Sequence, residues 1–108
     1  MYSNDKKSSR RYERLDYRWD LSPYLAFENK RPIPALGVDI SKNGIGVIVF
    51  EEIVESTFVL LKIPNNHITL KVIWCKKDNI RENLFHVGLE VDDQNVDLIE
   101  LLKEVNIA

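Results

Sequence analysis

The sequence predicts a small all-β domain that ends in a helix, and three patterns support this fold class. Strand-like apolar runs follow one another closely over residues 35–91. Turn signals separate them, among which Asn43-Gly44 and Asn65-Asn66 are the strongest. The last apolar segment changes from a strand period to a helical one. Several short antiparallel strands followed by one helix favour a small β-barrel with the helix packed on it or over one end.

Five strands are predicted from the runs of apolar and β-branched residues. They are Ala35–Ile40, Ile45–Phe50, Phe58–Ile63, Ile68–Cys75 and Phe85–Val91. Side chains alternate between the two faces of a strand. One face of the fourth strand is therefore expected to carry Ile68, Leu70, Val72 and Trp74. In the fifth strand the expected inward residues are Phe85, Val87, Leu89 and Val91, and the outward ones are His86, Gly88 and Glu90.

The segments around these strands carry weaker signals. Asp20, Pro23 and Asn29 interrupt the stretch Asp16–Lys30, which leaves the exact first strand open. Lys76–Asn83 is polar and predicts a loop. Spacings of i, i+3, i+4 and i+7 predict an amphipathic C-terminal helix, and its apolar stripe is Leu98, Leu101, Leu102 and Val105.

Length and charge predict one domain with a basic arm. The chain has 108 residues and a net charge of -2, which argues against a DNA- or RNA-binding protein. Residues 1–9 are polar and are expected to form a flexible N-terminal arm, so that residues 10–108 make up the folded domain. Five basic and two acidic residues lie within residues 1–14, whereas residues 90–108 hold six acidic residues and one lysine.

Cysteine use and hydropathy predict a cytoplasmic protein. Cys75 is the only cysteine, which fits a reducing compartment. The polar N-terminus does not resemble a signal peptide. No apolar run approaches the roughly 20 residues that span a bilayer, so membrane insertion is not expected.

Catalytic and metal-binding patterns are missing from the sequence. His67 and His86 lack metal-ligand spacing, and Ser41 lies in no nucleophile elbow. There is no Walker loop and no GxGxxG segment. Acidic pairs such as Glu51-Glu52 more often lie on a solvated edge than in an active site. We therefore expect neither an enzyme nor a bound cofactor or metal.

The hairpin around Asn43-Gly44 is the best candidate for a binding site. Asp39 and Ser41 are two residues apart and should point to one side of a strand, while Val38 and Ile40 point to the core. Asn43-Gly44 is typical of a turn with positive φ, and Gly44 would let a ligand approach the backbone. The alternative is that the aspartate and the serine only cap the turn.

An arginine cluster precedes this hairpin, and together with residues 1–9 it makes up a basic arm of residues 1–14. Arg10 and Arg14, with Arg11 beside the first, would span about 13 Å along an extended arm. Guanidinium groups bind phosphate bidentately and can also bind the O6/N7 edge of guanine. A carboxylate such as Asp39 can accept from the N1–H and N2–H₂ groups of guanine. The combination suggests a guanine nucleotide with more than one phosphate or base, and the alternative is a solvated basic tail.

The two motifs together resemble the PilZ domain family of bacterial cyclic di-GMP receptors. Arg-x-x-x-Arg at Arg10 and Arg14 is followed after about 25 residues by Asp-x-Ser-x-x-Gly at Asp39, Ser41 and Gly44. Val72-Ile73-Trp74 and Val87-Gly88-Leu89-Glu90-Val91 are similar to two later strands of the family.

This resemblance implies a six-stranded antiparallel β-barrel with a C-terminal helix. It also implies that cyclic di-GMP is the ligand and that its site comprises Arg10, Arg11, Arg14, Asp39, Ser41 and Gly44. Trp74 is a weaker candidate for stacking on a base, because a strand tryptophan lies more often in the core.

Two functional hypotheses follow. In the first, a receptor that is a monomer or a ligand-dependent dimer binds cyclic di-GMP. It then signals to a downstream protein partner by ordering its arm. In the second, the chain is a nucleotide-independent interaction subunit of motility or type IV pilus machinery. Family members of that kind typically lack the two motifs, which favours the first hypothesis.

Overall fold

A computed structural model of the protein describes residues 19–104, which form one antiparallel sheet and a short C-terminal helix. The strands are β1 (Trp19–Asp20), β2 (Leu25–Phe27), β3 (Ala35–Ile40), β4 (Gly44–Val49), β5 (Phe58–Ile63), β6 (Asn66–Lys77) and β7 (Phe85–Val91). They pair in the order β1-β3-β4-β7-β6-β5-β2, and the sheet curls into a half-barrel. The helix α1 is Leu98–Glu104. The predicted all-β fold with a terminal helix is confirmed, with seven strands in place of the six expected.

The additional strand lies in the stretch before Lys30, where the sequence did not define the exact first strand. The Asp20 carboxylate accepts a hydrogen bond from the Ser22 amide (3.0 Å), and the Leu25 amide donates to the Leu21 carbonyl (3.0 Å). The turn held by these bonds ends β1 and starts β2. The strand β1 pairs with β3 and β2 pairs with β5, so the turn carries the chain from one edge of the curled sheet to the other.

Two strands, β4 and β6, differ from their predicted boundaries at both ends. The strand β4 begins at Gly44 and ends at Val49, which leaves Phe50 outside the sheet with 55% of its surface exposed. The strand β6 begins at Asn66 instead of Ile68, because Asn66 and His67 pair with the end of β5. It continues to Lys77 instead of Cys75, because Lys76 and Lys77 pair with the first residues of β7. The predicted polar loop therefore starts at Asp78, whose amide donates to the Leu84 carbonyl (2.9 Å).

The concave inner face of the sheet holds the hydrophobic core. Its central strands contribute Ile45, Val47, Val49, Leu70, Val72, Val87, Leu89 and Val91, all buried. The alternation predicted for β7 is confirmed, and the outward position Gly88 is buried only because the Trp74 ring covers it. The helix closes the core with Leu98 and Leu102, and the Asp97 carboxylate accepts from the Glu100 amide (3.2 Å) in its first turn. Val105 lies outside the described residues.

A β-bulge interrupts the ladder in each of two strands. In β3 the register shifts between Gly37 and Asp39, and in β6 it shifts between Val72 and Trp74. An extra residue in one strand moves the side chains that follow it to the other face. The prediction that Trp74 shares a face with Val72 is therefore wrong: Trp74 lies on the convex outer face, where 40% of its surface is exposed.

The bulge in β3 corrects a second prediction. Val38 was expected to point to the core, but its Cγ2 atom lies 3.7 Å from the Cβ position of the outward-facing Gly46. Asp39 Cβ lies 3.8 Å from the same point, so both side chains reach the outer face. Ile40 packs against the core as predicted. Strict alternation of side chains between the two faces failed as a prediction at both bulges, because it assumes an unbroken ladder of strand pairing.

Candidate functional site

An open trough lies on the outer face, between the β3–β4 hairpin and the bulged part of β6. Its volume is about 320 Å³. The residues that line it include Asp39, Ser41, Gly44, Gly46, Trp74 and Glu90. Three of the predicted site residues, Asp39, Ser41 and Gly44, thus lie together with the weaker candidate, Trp74. Arg10, Arg11 and Arg14, like the predicted arm of residues 1–9, lie outside the described residues.

Glycine forms the floor of the trough. Gly46 of β4 and Gly88 of β7 are directly paired in neighbouring strands. The indole ring of Trp74 lies on Gly88 so closely that a Cβ atom there would overlap its Cε2 and Nε1 atoms. A glycine within a strand often marks a place where a ligand or another group approaches the backbone closely. The ring therefore covers the floor at Gly88, and Gly46 leaves an open surface beside it.

The hairpin at the edge of the trough is held by Ser41. Its amide donates to the Gly44 carbonyl (2.8 Å), and its hydroxyl donates to the same oxygen (3.3 Å). Neither Asn43 nor Gly44 has a positive φ, so the expected positive-φ turn is wrong. The loop spans residues 41–43 and closes by the serine contacts instead. Ser41 thus caps the turn, as the alternative interpretation of the hairpin predicted, and it also lines the trough.

Asn43 anchors the hairpin to the segment that leads into the helix. Its side-chain amide donates to the carbonyls of Val96 (3.0 Å) and Gln94 (3.3 Å). The neighbouring Lys42 carbonyl accepts from the Leu98 amide at 2.8 Å. Sequence reasoning used Asn43 only as a turn former and missed this role, because its partners lie about 50 residues further along the chain.

Two carboxylates border the same end of the trough. The Oδ1 atom of Asp39 accepts from the Ile40 amide (2.9 Å) on one side. Glu90 is exposed on the other side, opposite Gly44 in the β4–β7 pairing. The sequence did not predict Glu90 as a site residue, although its outward position in β7 was predicted. Both groups are acceptors, so this end of the trough favours a ligand that presents N–H donors.

A second hollow of about 360 Å³ adjoins the trough on the far side of Trp74. We call it the cationic hollow, and its lining residues include Lys76, Lys77, Asp78, Ile80 and His86. The ammonium nitrogen of Lys76 lies 5.7 Å from the centroid of the Trp74 ring. This distance is within the range of a cation–π contact.

Asp78 organises the loop at the end of this hollow. Its carboxylate accepts from the amides of Arg81 (2.8 Å) and Ile80 (3.0 Å) and from His86 Nε2 (2.7 Å). The hydrogen bond from the Arg81 amide, followed by that from His86, holds the pKa of Asp78 well below its usual range. The carboxylate is therefore ionised at neutral pH and held in place by its donors.

The part of the chain that the structure describes contains neither a candidate metal cluster nor a membrane-spanning helix. Among residues 19–104, no cluster of three or more His, Cys, Asp and Glu side chains could hold a metal ion. None of the helices within this range is long and apolar enough to cross a membrane.

The comparison with known families gives one match. The model of the PilZ domain matches residues 8–105, a range that contains both sequence motifs, the trough and nearly all of the chain. Neither the curated proteins nor the solved structures give a significant match. On the family match, the chain belongs to the PilZ domain family, and this membership supports a family role in cyclic di-GMP binding.

Proposed function

We propose that this protein binds cyclic di-GMP in the trough and passes the signal to a protein partner. One observation carries the proposal: Asp39, Ser41, Gly44 and Trp74, from separate strands and the hairpin, line a single trough with a glycine floor. One guanine stacks on Trp74, whose ring lies flat on Gly88, and the absence of a side chain at Gly46 leaves room beside the ring. Base–aromatic stacking of this kind contributes roughly 1–3 kcal/mol per base.

The carboxylate of Asp39 selects guanine. Guanine presents N1–H and N2–H₂ donors to an acceptor, whereas the corresponding edge of adenine carries an acceptor at N1. Asp39 therefore favours guanine over adenine, and the Ser41 hydroxyl adds a further polar contact. A substitution that keeps the size of the side chain but replaces one acceptor oxygen, Asp39→Asn, should weaken guanine binding more than its small change in volume suggests.

The arginines of the N-terminal arm supply the charge that the phosphates need. Trp19 pairs with Gly37 and Asp20 pairs with Leu36, so the N-terminal end of β1 is directed along β3 toward Asp39. Five residue steps separate Trp19 from Arg14, a reach of about 17 Å at the rise of an extended chain. Arg10, Arg11 and Arg14 therefore lie close enough in sequence to contact a ligand in the trough.

The signal is carried by ordering of the arm. Residues 1–14 have few apolar side chains, so a bound phosphodiester would fix them through charge-assisted hydrogen bonds. The ordered arm would create or cover a surface for the partner. Amide hydrogen exchange of residues 5–18 should slow when cyclic di-GMP is added. Protection that is already present without ligand would contradict this mechanism and favour ligand-dependent dimerisation.

Calorimetric titration tests the proposal. The wild-type protein should bind cyclic di-GMP more tightly than cyclic di-AMP or GTP. Arg14→Ala should lose about tenfold or more in affinity, which corresponds to one charge-assisted contact of roughly 1.5–3 kcal/mol. Arg14→Lys should also bind more weakly, because an ammonium cannot copy the guanidinium fork. A wild-type protein that binds none of the three nucleotides would support the interaction-subunit hypothesis instead.

A further inference from the structure

The outer face beyond Trp74 has a positive character that the trough lacks. Lys76 and His86 are directly opposite each other in the β6–β7 pairing, and both line the cationic hollow with Lys77. Within residues 19–104 no carboxylate lies within ion-pair distance of Lys76, and its contact is with the Trp74 ring. An exposed ammonium beside an aromatic ring is suited to bind an anion that accompanies an aromatic group.

The negative charge of Asp78 does not cancel the positive charge of the cationic hollow. Its two oxygens are occupied by the amides of Ile80 and Arg81 and by His86. These donors fix the carboxylate at the loop end of the hollow. Lys76 and Lys77 together exceed the single negative charge of Asp78, so the hollow is net positive even when His86 is neutral.

The groups on the outer face follow an order that matches the parts of a nucleotide. Along β7 the outward residues are Glu90, then Gly88 beneath Trp74, then His86. At ~3.3 Å per residue this sequence spans about 13 Å from a carboxylate to a cationic group. A guanine nucleotide presents N–H donors at one end, a ring in the middle and a phosphate at the other end.

We infer that the cationic hollow is a phosphate subsite in which Lys76, with His86 beside it, binds a phosphate of the nucleotide whose base stacks on Trp74. The inference rests on the proposed binding of cyclic di-GMP and extends it. The two phosphates of that ligand are bound by different parts of the chain. The arginines of the arm bind one, and the cationic hollow binds the other.

The first test compares Lys76→Gln with Lys103→Gln in calorimetric titrations with cyclic di-GMP. Both changes remove one exposed positive charge, but Lys103 lies on the helix and lines neither the trough nor the cationic hollow. Lys76→Gln should weaken binding about tenfold, the usual loss for a charge-assisted hydrogen bond, while Lys103→Gln binds as the wild type does. Equal affinity of Lys76→Gln and wild type would overturn the subsite and leave the proposed receptor function intact. Failure of the wild type to bind cyclic di-GMP would instead overturn both.

A second test separates phosphate binding from support of the Trp74 ring. The probes are 5′-GMP and guanosine, which differ by the phosphate. The wild type should bind 5′-GMP more tightly than guanosine, and Lys76→Gln should lose most of that difference. If Lys76→Gln weakened both probes by the same factor, the lysine would act only through its contact with Trp74, and the phosphate subsite would be wrong.

Discussion

The two faces of the central strands β4, β7 and β6 differ in what their side chains do. On the inner face, Val47, Leu70 and Val87 are at most 1% exposed and fill the core. On the outer face of the same strands, Gly46 and Gly88 carry no side chain, and Trp74 lies over one of them. The large apolar side chains of the inner face thus stabilise the fold by filling the core. On the outer face, the glycines leave space for the Trp74 ring and for a ligand.

The comparison shows how one short sheet can serve stability and binding at the same time. Because neighbouring residues of a strand face opposite sides, the two roles alternate along the chain. Changes on the inner face should therefore alter the free energy of unfolding, and changes on the outer face should alter ligand affinity. Four predictions test this separation, from the largest expected effect to the smallest.

The largest effect is expected from Leu70→Ala on the inner face of β6. Leu70 is fully buried, and its removal leaves a cavity. The free energy of unfolding should fall by about 2–5 kcal/mol, as measured by urea unfolding. The affinity of the folded protein for cyclic di-GMP should stay within about twofold of the wild-type value. A large loss of affinity without a loss of stability would contradict the assignment of this face.

The matched change on the outer face of the same strand is Trp74→Ala. Because the ring is 40% exposed, its loss should cost less in stability than the loss of the fully buried Leu70 side chain. Affinity for cyclic di-GMP should fall by roughly 1–3 kcal/mol, the contribution of one base stacked on an aromatic side chain. Calorimetric titration measures the affinity, and urea unfolding provides the control. Wild-type affinity in this variant would exclude Trp74 from the binding site.

The paired glycines offer a finer comparison, since each substitution adds one methyl group. In Gly88→Ala the new Cβ atom would overlap the Trp74 ring, so the ring must move. In Gly46→Ala the nearest atom lies 3.7 Å away, so the methyl group fits. Both variants should bind cyclic di-GMP more weakly, because Gly88→Ala displaces the ring on which the base stacks and Gly46→Ala adds a methyl group to the open surface beside that ring.

The indole N–H resonances distinguish the two variants. The Trp74 resonance should shift strongly in Gly88→Ala and little in Gly46→Ala, with the Trp19 resonance as an internal reference. Gly46→Ala should also keep or slightly raise stability, because alanine loses less backbone entropy than glycine. Similar shifts of the Trp74 resonance in both variants would contradict the close contact with Gly88.

The smallest effect concerns Asp78, in the loop at the end of the outer face. Its pKa is lowered in the folded state, so its contribution to stability is present above the unfolded-state value of about 3.9 and is lost as the pH falls below it. Urea unfolding should show that Asp78→Asn is less stable than wild type at pH 7 and that the difference narrows below about pH 4. The control is Glu82→Gln, which changes an exposed carboxyl group of the same loop and should show no such convergence.

The sequence by itself determined the fold class, most of the strands and the hairpin that carries Asp39, Ser41 and Gly44. These features depend on local patterns: period-two alternation, turn residues and a helical period at the end. The alternation in β7 was predicted completely, because no bulge interrupts that strand.

Only the tertiary structure decided which face Trp74 occupies, which glycines meet across β4 and β7, and what Asn43 anchors. The positions of the two bulges depend on the register between strands, and Gly46 and Gly88 are 42 residues apart in the chain. Register is fixed by how the whole inner face packs, and a one-residue shift exchanges the faces of a strand. A local pattern contains no information about that shift, so the sequence predicted the components of the trough but not the geometry that brings them together.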